Sequence, residues 1–381
     1  MRRMVGGIIA VFVAVVLFFT GQETVSAQTL ADELIGKLDM QELDDYLGEN
    51  EETEEISFGG LIRELINGDG RPLLSRLAEG MSQALFAEWR ENKALLLMIV
   101  ALAAGFTLLK NFSTIFRNSY ISEMCFLLVY IELMVLLMKS FLIMNELLSE
   151  TLRRVVEFMK MLIPVFAMSM VFSNGTGSAA GFYEMTFFII YLVQWGLLYL
   201  LAPMVQIYVV MQFLNYILEG EKFTRMCELL EDGIRFCLKF IVTLVMGINL
   251  VQGLIYPAID RLKTGTWAKA VGMIPGIGNS ANAIGEMLIG TGMVIKNSVG
   301  VAAMLVLVVL TAIPLVKLYA MSFLYKLSAA VLEPVTDKRI AGSINGVFKG
   351  SVLAGKLMLT SLFLFFITIA MITASTSALA G

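Results

Sequence analysis

The run VGVAAMLVLVVLTAIPLVKLYAMSFLYKLSAAVL, Val299 to Leu332, decides the fold of this chain, because its only charged side chains are Lys317 and Lys326. A helix of about twenty apolar residues suffices to cross a bilayer, and this run is longer than that. The whole chain agrees, since 58% of its residues are hydrophobic, 16% are charged and its mean hydropathy is +0.80. We therefore expect an all-α, polytopic membrane helix bundle.

The first 27 residues have the pattern of an export signal. Arg2 and Arg3 form a positive start, Ile8 to Phe19 an apolar core, and Val25-Ser-Ala27 a small-residue cleavage site. We predict cleavage after Ala27, and the alternative is an uncleaved anchor. In both cases the residues that follow begin outside the cytoplasm.

Residues 28–93 form an acidic extracytoplasmic region, with 16 Asp or Glu against 6 Lys or Arg. This balance disfavours nucleic acid as a partner, because binding to phosphates requires basic side chains. The run Glu49 to Glu55 predicts a solvated linker. Apolar residues recur at helical spacing from Leu74 to Trp89, after a turn at Asp69 to Pro72. We expect small amphipathic helices that either dock on a partner or pack on the chain's own membrane domain.

The sequence contains no recognisable catalytic or metal site. Histidine is absent, and Cys125, Cys227 and Cys237 have neither metal-ligand nor disulfide-framework spacing. Gly350 to Leu357 resembles a phosphate-binding loop only until its last position, where leucine replaces the metal-binding Ser or Thr. We therefore predict a non-enzymatic protein with no cofactor, no metal and no catalytic residues.

Seven apolar segments are expected to cross the membrane, with eight or nine crossings as the alternatives. They are Ala94–Leu109, Ile121–Met144, Val155–Phe172, Phe182–Leu218, Phe236–Tyr256, Val299–Leu332 and Val352–Thr373. The loop that carries Lys110 and Arg117 falls inside the cell, in agreement with the positive-inside rule. Phe182–Leu218 would be about 55 Å long if fully helical, so we predict a helix broken at Pro203.

A repeated pattern occupies the last two thirds of the chain. Pro203-Met-Val-Gln-Ile-Tyr208 matches Pro314-Leu-Val-Lys-Leu-Tyr319 at a separation of 111 residues, and Leu162-Ile-Pro164 matches Met273-Ile-Pro275 at the same separation. We predict two copies of one membrane unit, residues 155–260 and 261–381, which follow two transmembrane helices within residues 94–154. The pattern leaves open whether the copies are parallel or inverted. Such repeats are common in transporters, whose functional surface lies where the copies meet.

A glycine-rich stretch, Gly272 to Gly300, begins the second copy and contains seven glycines. We expect it to form a pair of short helices that dip into the domain, because interrupted backbone at membrane depth must be covered by protein or line a watery cavity. An ordinary surface loop is the alternative. Its candidate pore or packing residues are Pro275, Gly276, Gly278 and Glu286.

Further candidates lie within the spans and at their prolines. They are Glu132, Lys139, Pro164, Pro203, Gln206, Pro314 and Lys317. Glu132 and Lys139 are seven residues apart on one helix face, and we expect them to face the bundle or each other, because charges in lipid are costly. Lys317 matches Gln206 just after the paired prolines, where backbone carbonyls freed by proline would accept hydrogen bonds.

A signal sequence, an acidic helical region and these paired elements together resemble the stage III sporulation protein AE family of endospore-forming Firmicutes. The resemblance covers essentially the whole chain. Its most specific parts are IPGIGNSANAIGEMLIGTG at 274–292 and TAIPLVKLYAMSFLYKLSAAVLEP at 311–334.

The resemblance implies a subunit of a channel-like or secretion-like complex that connects mother cell and forespore and sustains late forespore gene expression. It implies a place in the mother-cell-derived membrane around the forespore. The implied partners are other stage III sporulation proteins, including a separate ATPase and ring-forming subunits. The lipid bilayer is a further expected partner, and a homo-oligomer is left open, because the sequence does not reveal the oligomeric state. The family supplies no catalytic residues. The repeats leave a self-contained secondary transporter as the alternative function.

Overall fold

A computed structural model of the chain describes residues 28–50, 53, 54, 56–67, 119–174, 177–217, 222–271, 278–334 and 336–377, with short pieces between 87 and 108. The described residues are almost entirely helical. The helices are α1 Gln28–Ile35, α2 Gln41–Glu49, α3 Phe58–Asn67, α4 Ser119–Asn174, α5 Gly177–Gly196, α6 Ala202–Ile217, α7 Thr224–Val271, α8 Gly278–Leu332 and α9 Lys338–Ser377. The predicted signal and its cleavage after Ala27 lie outside these residues, as do Pro275 and Gly276.

The bundle is built around α8, which packs along α4 on one side and α9 on the other. Its apolar run is buried inside the protein, with Val306, Leu307 and Leu310 fully inaccessible to solvent. A helix that is apolar on all faces is stable in such a central position, since no face has to meet water. The expected all-α membrane bundle is therefore confirmed, and five described helices are long and apolar enough to cross a membrane.

The prediction that Ile121–Met144 and Val155–Phe172 form two separate helices is wrong. Both belong to α4, a single helix of 56 residues, which is about 84 Å long at the usual rise per residue. Charged residues separate the two apolar segments, but Glu, Leu and Arg are strong helix formers and residues 145–154 contain neither glycine nor proline. Ala94–Leu109 lies partly outside the described residues.

Phe182–Leu218, predicted as one crossing with its helix broken at Pro203, forms one helical path over the described residues to Ile217, and its regular α-helix is interrupted just before Pro203. The helical path continues from α5 through one π-helical turn, Leu197–Leu201, into α6. Proline removes a backbone hydrogen bond and its ring clashes with the carbonyl four residues earlier, here that of Tyr199. A π-helical turn absorbs this mismatch without ending the helix. The two-copy repeat remains a prediction.

The second half of the glycine-rich stretch is part of one long helix. α8 begins at Gly278 and continues without interruption through Gly300 to Leu332. The expected pair of short helices is therefore wrong for residues 278–300. Glycine lowers helix propensity by about 1 kcal/mol per residue relative to alanine, and packing against α4 and α9 outweighs that loss here.

The described part of the acidic N-terminal region packs on the chain's own membrane domain. α2 contacts α4, and α1 and α3 contact α8. Tyr46 of α2 donates a hydrogen bond from its hydroxyl to the backbone oxygen of Arg154 at 2.9 Å, and the Phe58 ring lies edge-on to Phe158 with ring centroids 6.4 Å apart. The helical pattern from Leu74 to Trp89 lies outside the described residues.

This packing depends on pH through Tyr46. Burial raises the pKa of Tyr46 to about 12, and the carboxylate of Glu157 adds to the shift. A tyrosine with a raised folded pKa contributes its full stability below pH 10 and loses it as the pH rises from 10 through 12. We expect Tyr46→Phe to cost about 1 kcal/mol at neutral pH and to abolish this loss. Hydrogen exchange of α1 to α3 in the full-length protein, followed from pH 9 to 11, measures both effects.

Candidate functional site

One face of α4 carries a line of charged side chains along most of its length. The charged residues are Glu132, Lys139, Glu146, Glu150, Arg153, Arg154, Glu157 and Lys160, and we call this set the α4 charged face. Apart from the adjacent Arg153 and Arg154, successive members are three, four or seven residues apart, and all of them lie on one side of the helix. Arg154 and Glu157 are half-buried and the other six are exposed. Acidic and basic residues are equal in number, so the face has no net charge.

The central part of this face lies at the same level along the bundle as the most apolar part of α8. Ser140 of α4 is hydrogen-bonded to Tyr325 of α8, while Phe172 lies against Gly292, so the two helices run antiparallel along their full shared length. Between these contacts, residues 297–316 of α8 contain no charged side chain. Charges at membrane depth are stable only when they meet water or other protein groups. The α4 charged face is therefore unsuited to lipid.

Local contacts hold several of these side chains in place. Arg154 and Glu150, one turn apart, form an ion pair at 2.6 Å. The ammonium of Lys160 lies 5.2 Å from the centre of the Tyr191 ring of α5, a cation–π contact. α2 covers the middle of the face through the Tyr46 hydrogen bond. The remaining exposed charges are open to water or to a partner.

The prediction that Glu132 and Lys139 face the bundle or each other is wrong within a single chain. Both side chains are exposed on the outside of α4, and the structure gives no ion pair between these two described residues. The helix turns its mainly apolar side, including Leu133 and Leu137, toward the core. The charged side chains of Glu132 and Lys139 therefore lie on the outer side of α4.

The structure does not bring the predicted prolines together. Pro164 and Pro203 are exposed, whereas Pro314 is buried inside α8. Gln206 and Lys317 are both half-buried, and Lys317 makes no hydrogen bond with another described residue. Gly278 is the first residue of α8. Glu286 belongs to α8 as well, and its side chain lies outside the described set.

Sequence reasoning missed four members of the α4 charged face: Glu146, Glu150, Arg153 and Arg154. They lie between the predicted spans Ile121–Met144 and Val155–Phe172, so they were not considered as part of one helix face. The signal was present, because residues 146, 150, 153, 157 and 160 alternate by four and three along the chain. A helical projection that includes residues 145–154 would have shown this common face.

A second polar centre is buried where the C-terminal ends of α4 and α9 meet residues 292–300 of α8. Lys296 is fully inaccessible to solvent, and its ammonium lies 3.5 Å from the backbone oxygen of Thr373 near the C-terminus of α9. Ser173, near the C-terminus of α4, is also fully buried. Helix C-termini carry partial negative charge, so a buried cation between two of them is electrostatically favourable. Lys296 thus links α8 to the C-terminal end of α9.

Two glycines of α8 permit the close approach at this centre. A Cβ at Gly292 would overlap the backbone carbonyl of Phe172, and one at Gly300 would lie 2.6 Å from the Thr373 hydroxyl. Gly292, Lys296 and Gly300 are spaced by four residues and share one face of α8. Small residues of this kind let membrane helices pack backbone against backbone.

The described residues contain no group of three or more His, Cys, Asp or Glu side chains placed to hold a metal ion. Exposed carboxylates, ammonium and guanidinium groups of both signs suit binding to a protein surface of mixed charge or contact with water in a cavity.

The chain is similar to one protein family over most of its length. A family model described as stage III sporulation protein AE matches residues 56–376. The stage III sporulation protein AE of Bacillus subtilis (strain 168) is 24% identical over 351 residues, which cover 92% of this chain and 87% of that protein. No solved structure matches the chain.

Proposed function

Because the chain belongs to the stage III sporulation protein AE family, we propose that it is a non-enzymatic, multi-pass membrane subunit of a sporulation-specific, channel-like or secretion-like complex. The complex connects mother cell and forespore and is needed for late forespore gene expression. The subunit lies in the mother-cell-derived membrane around the forespore, with its N-terminal region outside the cytoplasm. Its partners are other stage III sporulation proteins, among them a separate ATPase and ring-forming subunits.

The α4 charged face is the observation that carries this proposal. An isolated protein surrounded by lipid would leave exposed charges such as Arg153 and Lys139 without water or partners, at about 2.5–3.5 kcal/mol for each charge near the bilayer centre. A subunit of a larger assembly meets neighbouring proteins or a water-filled passage on that face. The face thus supports a conduit wall or docking platform.

Loss of the gene in the native host tests the proposal. We expect a strain that lacks the gene to form engulfed forespores in which a late forespore reporter stays silent, and we expect the wild-type gene to restore the reporter. Arg153→Glu, which disturbs the α4 charged face on its exposed side, should fail to restore it while reaching normal protein levels. Lys338→Glu, an exposed charge reversal away from that face, is the matched control and should restore it. Normal reporter activity in the deletion strain would refute the proposal.

The repeated sequence pattern gives the rival reading, a self-contained secondary transporter. Purified protein in liposomes distinguishes the two, because a transporter moves a solute with its own coupling ion and needs no partner. We expect no such coupled uptake. Uptake that depends on an ion gradient and requires this protein alone would favour the rival function.

A further inference from the structure

We propose that copies of this chain associate side by side in the membrane, with the first half of α4 in one copy against the first half of α7 in the next. The contact on α4 is the part of the charged face that its own N-terminal helices leave open. Glu132, Lys139 and Glu146 follow each other at intervals of seven residues, with the signs minus, plus, minus. All three side chains are exposed.

α7 carries the complementary pattern. Arg225, Asp232 and Lys239 also follow at intervals of seven residues, with the signs plus, minus, plus. All three are exposed, and Arg225 has only a long ion pair of 3.5 Å to Glu228, which is also well exposed. When the two helices lie parallel with Glu132 beside Arg225, the other two pairs, Lys139 with Asp232 and Glu146 with Lys239, fall into register. Every charge then has an opposite partner.

Apolar side chains between the charges suit the same contact. On α4, Leu128 is 71% exposed and Val135 is 59% exposed. On α7, Leu229 is 71% exposed and Phe236 is 68% exposed. Alternation of apolar and charged residues by three and four is the spacing of helices that pack along their length.

The three charged residues of α4 and the three of α7 run in the same direction and lie at the same end of the bundle. α4 and α7 are separated by one antiparallel passage, formed by α5, the π-helical turn and α6. Tyr130 of α4 donates a hydrogen bond to the backbone oxygen of Phe213 at 2.8 Å, and the nearby Asn215 donates to the hydroxyl of Thr224 at the start of α7 at 3.1 Å. Glu132 and Arg225 are therefore at a similar height, as a lateral contact in a membrane requires.

Within one chain, the three charged residues of α4 do not pack against the three of α7. α4 packs mainly on α8 and α9, and α7 packs mainly on α9 and α6. A symmetric contact between two parallel α4 helices would place Glu132 against Glu132 and Lys139 against Lys139, which charge repulsion disfavours. The complementary contact uses two different surfaces, so it repeats from copy to copy and closes into a ring when the rotation between copies permits.

This association goes beyond the proposed function and does not depend on it, since it requires only the chain itself. It is therefore tested away from all other sporulation proteins, in membranes of a host that lacks them. A result in that host leaves the role in the native complex untouched.

Cross-linking between two differently tagged copies tests the contact. Cys125, Cys227 and Cys237 are first replaced by serine, one copy receives Lys139→Cys and the other receives Asp232→Cys. We expect a disulfide-linked product that carries both tags. Leu192→Cys, an exposed position on α5, replaces Asp232→Cys in the matched control and should give no such product. Linkage of Lys139→Cys to its own counterpart alone would overturn the proposal in favour of a two-fold dimer.

Charge exchange gives the second test, read from the oligomeric state of the purified full-length protein in lipid nanodiscs or mild detergent. We expect Lys139→Glu and Asp232→Lys each to reduce the oligomer in favour of the single copy. Both substitutions in one chain should restore it, because each contact again joins opposite charges. A single-copy wild-type protein, or a double variant no better than either single variant, would show that another protein or no partner covers these faces.

Discussion

Gly292→Ala is expected to lower the midpoint of thermal unfolding of the purified protein, and Gly292→Val is expected to prevent stable folding. The added Cβ overlaps the backbone carbonyl of Phe172, which belongs to a packed helix and has no rotamer with which to move away. Overpacking of this kind costs about 1–3 kcal/mol when the surroundings adjust, and valine adds two further methyl groups at the same place.

Gly290 provides a matched control two residues earlier on the same helix. It is exposed, and nothing lies within 4 Å of the position that its Cβ would occupy. Gly290→Ala should leave stability unchanged or raise it by up to about 1 kcal/mol, since alanine has the higher helix propensity. The fraction of folded protein after heating in mild detergent, measured by size-exclusion chromatography, compares the variants. Equal stability of Gly292→Ala and Gly290→Ala would show that α4 and α8 do not cross at Phe172.

Lys296→Glu is expected to abolish folding or to reduce the amount of protein in the membrane severely. The side chain is fully buried beside the backbone oxygen of Thr373, where α4 and α9 end. A carboxylate there would be buried against helix C-termini of the same sign. Uncompensated buried charges destabilise proteins by about 3–5 kcal/mol, which is comparable with the total stability of many domains.

Lys296→Met separates the charge from the volume of the side chain. Methionine fills a similar space, and replacing a buried charged group by an apolar one of similar shape is often neutral or stabilising. We therefore expect Lys296→Met to reach wild-type levels and to unfold near the wild-type midpoint, measured in the same assay. A methionine variant as unstable as the glutamate variant would mean that the ammonium of Lys296 is required to hold α4, α8 and α9 together.

Hydropathy allowed the sequence to predict the fold class but not the length of α4. Residues 145–154 are polar enough to separate two predicted spans, and only the structure shows that one helix continues straight through them. The same error concealed the α4 charged face. The sequence likewise could not show that Glu132 and Lys139 are exposed. Helical spacing gives the angle between two side chains, but it does not show whether their common face points toward the core or away from it.

The sequence by itself determined that the chain is helical and suited to a membrane, because long apolar runs can satisfy their backbone groups in lipid only as helices. It also pointed to the family through its paired proline elements. Tertiary structure alone decided that α8 is central, that Gly292 and Gly300 are the points of close approach, and that Lys296 is buried. These features depend on which helices meet, and contacts between residues far apart in the chain leave no periodic signal in either partner.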